Sequence, residues 1–500
     1  MFPSGRAKQP TWIAPELVGC PWPDQRLHKR AGKLIQAMSH QPDASLPQCC
    51  GDAAAAKAAY RFFDHDELNF NGLLAGHLQA TWKRVGQRSV DAAPVLLLED
   101  STTFNFQRHA PTEGLGPLGN VRSTDQGLWL HSTLALSAEG HCLGFVHAHC
   151  WARDPDKTGQ RHQRHQRAAQ DKESHRWVSS LQKIAPQAAE QAPGRKLIRI
   201  ADREADLWEV LAETRRHLQA GESLHVLTRS RHDRRVEVLR TGTEPANASH
   251  TQEQSLWEAL KQGHQAERQT LALPGRSARP GKEAAAARQA DLEVRYCAVR
   301  VQPASRSEPT SQEAVACWAV EAREPQPPEG CEPLHWRLLT TWPVKDGQTA
   351  VEVLRWYRLR WQIEVMHKVL KSGLGFEQRG LRTGQRLEAV LALSLIVGWR
   401  ILGLMHQGRQ EATRQELASQ VLEPDECEVL QMLRKAGGRK LMREQGLNLQ
   451  EASEEIARLG GWLGRTRDPP PGVVVLWRGL QTLASQMQGF RLAQQLMGNR

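Results

Sequence analysis

Apolar positions fall at helical spacing near both ends of the chain, and in short strand-like runs between them. From Asp24, a plausible N-cap, a basic amphipathic helix is predicted through Leu27, Ile35 and Met38. A second helix runs through the alanines at 53–59 to Tyr60, Phe62 and Phe63. Short apolar runs follow at Val95–Leu98, Trp129–Leu136, Gly144–His149 and Leu197–Ile200, with helical patterns between them, which predicts a mixed α/β domain. Further strands are predicted at His225–Thr228, Leu292–Tyr296, Val315–Val320 and Leu338–Thr341. They are interrupted by a loop rich in Pro, Gly, Arg and Ala (Pro274–Arg288) and a soft linker (Glu324–Glu329). Residues 348–372 give the strongest helix, and 386–405 give another. The tail Val474–Leu496 spaces Leu476, Leu480, Leu483, Met487 and Phe490 for helix packing, against its own domain or a second subunit. The pattern divides the chain into a helical domain at 1–72, an α/β domain at 73–405 with a strand-rich insert at about 225–340, and a helical region at 406–500.

Charge adds a possible partner. Lys and Arg number 66 against 55 Asp and Glu, giving a net charge of +11. A basic excess over so long a chain suits nucleic acid, and equally a basic protein without such a partner. The run Arg161–Arg167 reads as a solvated face or loop and is given no catalytic role. The 9 cysteines include no CxxC pair, which fits a reducing cytoplasm. No apolar leader is legible at the start, and Ala389–Trp399 reads as a buried core helix, so no membrane partner is expected.

Three acids stand out. Asp100 and Asp202 each follow a strand-like run, and the C-terminal ends of strands in α/β sheets are where ligand sites collect. Turns after strands also favour Asp for structural reasons. Tyr357, Arg360, Glu364, Lys368 and Lys371 line one face of the predicted helix, beside an apolar stripe of Leu359, Ile363, Met366 and Leu370. An exposed ion-pair ladder would give the same spacing. Together, three carboxylates can hold two divalent cations about 3.5–4 Å apart, the arrangement that activates one oxygen and stabilises another in phosphodiester chemistry. Hard cations such as Mg2+ favour carboxylate oxygen, and cations on the same helix can grip flanking phosphates.

These segments, in order, resemble the bacterial DDE transposases of the insertion-sequence-four group, and within it those of the transposon-five type. The resemblance is carried by Leu98-Glu99-Asp100-Ser101-Thr102, by Ala201-Asp202-Arg203-Glu204-Ala205-Asp206, and by Tyr357, Arg360, Glu364 and Lys371 at the spacing of a Tyr-Arg-Glu-Lys signature. Ala59-Tyr60-Arg61-Phe62, Trp129-Leu130-His131-Ser132 and Ala457-Arg458-Leu459-Gly460-Gly461 extend it over nearly the whole chain. It implies an RNase H-like core interrupted by a β-rich insert, an N-terminal module for transposon ends and a C-terminal region that pairs subunits. Asp100, Asp202 and Glu364 would hold two Mg2+ ions, with Mn2+ able to substitute. Tyr357, Arg360, Lys371, Lys368 and Arg229 would contact DNA, Trp336 would stack on a flipped base, and Arg26 and Arg30 would belong to the end-binding module. The implied partners are double-stranded DNA, as transposon ends and target, and a second copy of the chain. The implied place is the bacterial cytoplasm, at the nucleoid when bound to DNA. The implied reaction is nicking, hairpin formation and opening, then strand transfer. Two other readings stay open: a metal-dependent nuclease on the same fold, and a silent DNA-binding regulator derived from such an enzyme.

Overall fold

The computed structural model describes residues 11–498 except 108–111, 120–122, 158–168, 240–249, 274, 276–285, 304–312, 409–413, 442–444, 466–467 and 469. The charge run Arg161–Arg167 and most of the loop before Arg288 therefore lie outside the described residues.

In chain order, helices α1 (Gln25–His40), α2 (Leu46–Cys50), α3 (Ala53–Phe63) and α4 (Phe70–Gly86) come first. Strands β1 (Val95–Asn105), β2 (Gly116–Pro117), β3 (Gln126–Leu136) and β4 (Cys142–Trp151) follow. Next come α5 (Arg176–Gln191), β5 (Leu197–Ala201), α6 (Trp208–Gln219) and β6 (Leu224–Arg229). Then come β7 (Arg235–Leu239), β8 (His250–Ser255), α7 (Leu256–Lys261), β9 (His264–Leu273), β10 (Arg288–Val301), β11 (Val315–Arg323) and β12 (His335–Thr340). The chain ends with α8 (Gly347–Leu359), α9 (Trp361–Lys368), α10 (Gly384–Gln407), α11 (Pro424–Ala436), α12 (Leu449–Leu459) and α13 (Val473–Gly498). These elements form two compact units, each assembled from separated segments: residues 1–87, 101–165 and 362–500 in one, and 88–100 with 166–361 in the other.

The first unit is mostly helical and is built around α10. This helix is long and apolar enough to cross a membrane, yet 78% of its most apolar stretch is buried, with α1, α4, α12, α13 and β4 packed against it. It is the core helix that its sequence predicts. Helices begin where side-chain oxygens cap them. Asp24 accepts from the Arg26 N–H at 2.7 Å, and Asp52 accepts from the Ala55 N–H at 2.7 Å, each cap stabilising by about 1 kcal/mol. Helices α12 and α13 cross backbone to backbone at Gly460 and Gly479. A Cβ on Gly479 would sit 1.7 Å from the Ile456 carbonyl oxygen. Leu476, Leu483 and Met487 of the predicted tail stripe are buried in this unit, while Leu496 is 64% exposed at its far end.

The second unit is a sheet. The first half of β1 pairs in parallel with β5, and β5 in parallel with β6. The sheet then turns antiparallel through β12, β11 and β10, with β7 and β9 both paired to β10 and β8 on β7. Trp177, Trp208, Val226, Val299 and Leu339 form its core. Parallel strands need a crossover of a dozen or more residues, and the α6 segment supplies it between β5 and β6.

Three expectations change. Strand β1 does not stop at Leu98: it continues to Asn105, so Asp100 lies within a strand and not after one. Its polar second half carries no apolar run, because Ser101 and its neighbours are only partly buried. The helix expected at 348–372 is divided: α8 ends at Leu359, α9 ends at Lys368, and Val369–Gly373 forms a π turn. The segment at Glu324 is not a soft linker there. Its buried carboxylate pairs with Arg288 and accepts the Leu334 N–H at 2.9 Å, so the loop is anchored at its root.

Candidate active site

The pairing of β1 with β5 sets the level of the first two acids. Leu98 lies opposite Ile200, with every pair before them in the same register. Two residues further along the chain in each case stand Asp100, still within β1, and Asp202, just past the end of β5, at corresponding positions of two adjacent strands that run about 4.8 Å apart. Neighbouring residues in a strand face opposite ways, and this separates their chemistry. Glu99 turns inward, fully buried, onto Arg199, whose Nε lies 2.9 Å from its Oε2, and onto Ser180. Asp100 is only partly buried and accepts from Arg360 Nη1 at 3.3 Å.

Asp202 begins a short 3-10 turn, Arg203–Ala205, and its Oδ1 accepts the Glu204 N–H at 2.8 Å. Its own carbonyl accepts the Thr228 hydroxyl at 2.9 Å, which ties the ends of β5 and β6 together. The other acid of this segment, Asp206, has a different task. It is buried, pairs with Arg234 at 2.6 Å, and accepts the Arg231 and His232 N–H groups at 2.7 and 3.1 Å. It therefore fixes the turn that follows β6 and is not available as an outward ligand.

Around Asp202 stand cations and aromatic rings. Arg229 ends β6 and donates to the His335 carbonyl at 2.9 Å. Its environment contains Tyr357, Arg203, Arg360 and Asp202, and burial pulls its pKa below the ordinary arginine range. A guanidinium keeps its charge regardless. Burial also raises the Tyr357 phenol, against the pull of Arg360 and Arg229, so it is a neutral hydroxyl at physiological pH. Trp336 meets Tyr357 edge to face, with ring centroids 5.5 Å apart and planes at 69°. Asp100, Asp202, Arg229, Trp336, Tyr357 and Arg360 thus belong to one neighbourhood of the second unit.

The remaining expected residues belong to the first unit. Glu364 is half-buried on α9, and Lys368 ends that helix exposed to solvent. Lys371 lies in the π turn, its Nζ 5.8 Å from the Phe104 ring centroid. A π turn adds a residue to the helical repeat, so Lys371 does not continue the face that an unbroken α-helix would give it. Ile363, Met366 and Leu370 are fully buried as expected, whereas Leu359 is only half-buried. Arg26 is 90% exposed beside Asp24 on α1, and Arg30 is half-buried one turn later. Among the described residues no group of three or more His, Cys, Asp or Glu side chains is gathered in a way that could hold a metal.

The chemistry of the donors still suits a hard cation. Asp100 and Asp202 supply carboxylate oxygen, the donor that hard cations favour, and the surrounding guanidinium groups suit phosphate.

Three protein families match the chain in succession: Transposase DNA-binding at residues 9–68, Transposase DDE domain at 259–398, and Transposase Tn5 dimerisation domain at 396–498. The chain is therefore a DDE transposase, an enzyme that cleaves DNA and transfers its strands. More narrowly, it belongs to the Tn5-like enzymes of the insertion-sequence-four family. It carries a DNA-binding part at one end and a dimerisation part at the other. The DDE match includes Trp336, Tyr357, Arg360, Glu364, Lys368 and Lys371. Enzymes of this family generally depend on divalent metal ions.

Proposed function

We propose that the chain is a cut-and-paste transposase that excises its element through hairpin ends, using an RNase H-like core. In this reading residues 1–72 recognise transposon ends, 73–405 form the catalytic domain with its insert at about 225–340, and 406–500 pair two subunits. The parallel β1–β5–β6 segment, with α6 joining β5 to β6, is the part of the sheet that supports this reading of the core.

Asp100, Asp202 and Glu364 would hold two divalent cations, Mg2+ with Mn2+ as a substitute. Such ions, when bound, supply Lewis acidity at the scissile phosphate. Water first cleaves one strand at the transposon end and leaves a 3′-hydroxyl. That hydroxyl attacks the opposite strand, forming one phosphodiester as it releases another, and the end closes as a hairpin. A second water opens the hairpin, and the regenerated 3′-hydroxyl attacks target DNA. Arg229 and Arg360 would grip phosphates beside the reacting one, with Lys368 and Lys371 contacting DNA further along. Trp336 would receive the base that must leave the stack in so tight a bend. Arg26 and Arg30 would contribute to end binding through phosphate contacts.

One observation carries this reading: Asp100 in β1 and Asp202 just past the end of the adjacent parallel β5 stand at corresponding positions, beside Arg229, Arg360 and an aromatic pair. Purified protein, incubated with DNA bearing the element's terminal repeats, should yield a nicked end, a hairpin and an excised fragment when Mg2+ is added, and none without it. Nicks without hairpins would instead favour a simple nuclease.

A further inference from the structure

Strand β12 carries Trp336 on the face opposite to its two neighbours. Trp336 pairs across the strands with Ala322 and leans on Tyr357. On the other face, His335 and Arg337 converge on a single oxygen. His335 Nε2 lies 2.7 Å, and Arg337 Nε 3.0 Å, from Oε1 of Glu321 on β11. The residues immediately before and after Trp336 are thus held by one carboxylate. Arg337 is held further by Trp257 of α7, whose ring its guanidinium covers at 4.3 Å. The clamp sits at the start of β12, which begins at His335 after the turn at Pro328–Cys331.

Glu321 is largely buried in β11, where every other residue from Val315 to Ala322 is apolar. Burial works to raise its carboxyl, and the bonds to His335 and Arg337 more than offset this, leaving it below the ordinary carboxylate range and ionised. A charge is costly at a strand position that an apolar side chain could fill. Its bonds go to the two residues that flank the stacking ring, and this suggests what the charge does there.

We propose that Glu321 is a positioning residue for the hairpin step, holding β12 so that Trp336 is presented beside Tyr357 to receive a displaced base. This rests on the reading of Trp336 given above. The test uses the full-length protein with transposon-end DNA and Mg2+, following nick and hairpin in one time course. Glu321→Ala should slow hairpin formation about tenfold, within the range that losing one base–aromatic stack produces, and leave the first nick within about twofold. Glu321→Gln, which keeps an acceptor oxygen without the charge, should show a smaller loss in the same step and carries the test if the alanine variant does not fold. An end whose terminal base is already unpaired needs less unstacking, so it should largely restore the hairpin rate of both variants. A merely structural defect would not respond to the substrate in this way. Nick and hairpin slowed equally, or no rescue by the unpaired end, would overturn the proposal. Normal hairpin formation in both Glu321 variants, with a slow Trp336→Ala, would overturn it while leaving the role of Trp336 intact. A Trp336→Ala protein that forms hairpins normally would overturn both.

Discussion

Replacing Asp202 with Asn is expected to lower nicking by about 100-fold or more, at least as much as losing a group that merely supports a metal ligand, while binding to end DNA stays as it was. The substitution is chosen for what it preserves. The Asp202 side chain accepts the Glu204 N–H, and an amide oxygen can accept the same bond. The turn at Arg203–Ala205 and the tie between Thr228 and the Asp202 carbonyl therefore survive. What disappears is one negative charge facing Arg229. DNA affinity should hold or rise slightly, because a repulsive charge beside the phosphate-binding groups has gone. A gel-shift titration beside a nicking time course separates the two effects. Wild-type nicking by Asp202→Asn would remove the residue from the reaction. Asp206→Asn provides the contrast within the same segment. That acid is buried with Arg234, so its loss should appear as lower stability before it appears in catalysis.

The contrast between Asp202 and Asp206 also marks how far the sequence could be read. The apolar runs before Asp100 and Asp202 are long enough to announce strands, and the equal spacing from each run to its acid fixes their common level once the strands pair. The sequence does not announce where polar strands lie. Strand β9 is mostly exposed and buries only Ala266 and Leu271, without a two-residue alternation, and the second half of β1 is mainly Ser, Thr and Asn, so neither stands out by hydrophobicity. The division of the 348–372 helix was also hidden, because Arg360 and Lys371 are both good helix formers and no Gly or Pro marks either break before Gly373. Glu321 was missed for a related reason. A lone Glu in Val315–Arg323 reads as a solvent-facing position until β12 brings His335 and Arg337 to it. A signal existed in the pattern of a Trp flanked by two basic residues opposite an acid, although only the strand register makes it legible.

The same blindness applies to Glu99, whose removal is expected to have the largest effect on stability. Read alone, a Glu next to Asp100 could be a fourth candidate ligand. In the fold it is fully buried, and with Arg199 it forms an ion pair that also takes in the Ser180 hydroxyl. Arg199 in turn donates to the Trp177 carbonyl at 2.8 Å, so the pair links β1, β5 and α5 just behind the two candidate ligands. Glu99→Ala would leave the Arg199 guanidinium buried and unpaired, at a cost of about 3–5 kcal/mol. In a unit of this size that corresponds to a fall in melting temperature on the order of 10 °C. Calorimetry, or hydrogen exchange on β1 and β5, would measure it. The pair itself contributes far less than that figure, because most of the cost comes from stranding one partner. Replacing both at once, with Glu99→Leu and Arg199→Met, should therefore recover much of the lost stability. If activity returns along with stability in the double variant, the buried pair serves only to hold β1 against β5. If stability returns but nicking stays low, the charges also tune the register that brings Asp100 level with Asp202.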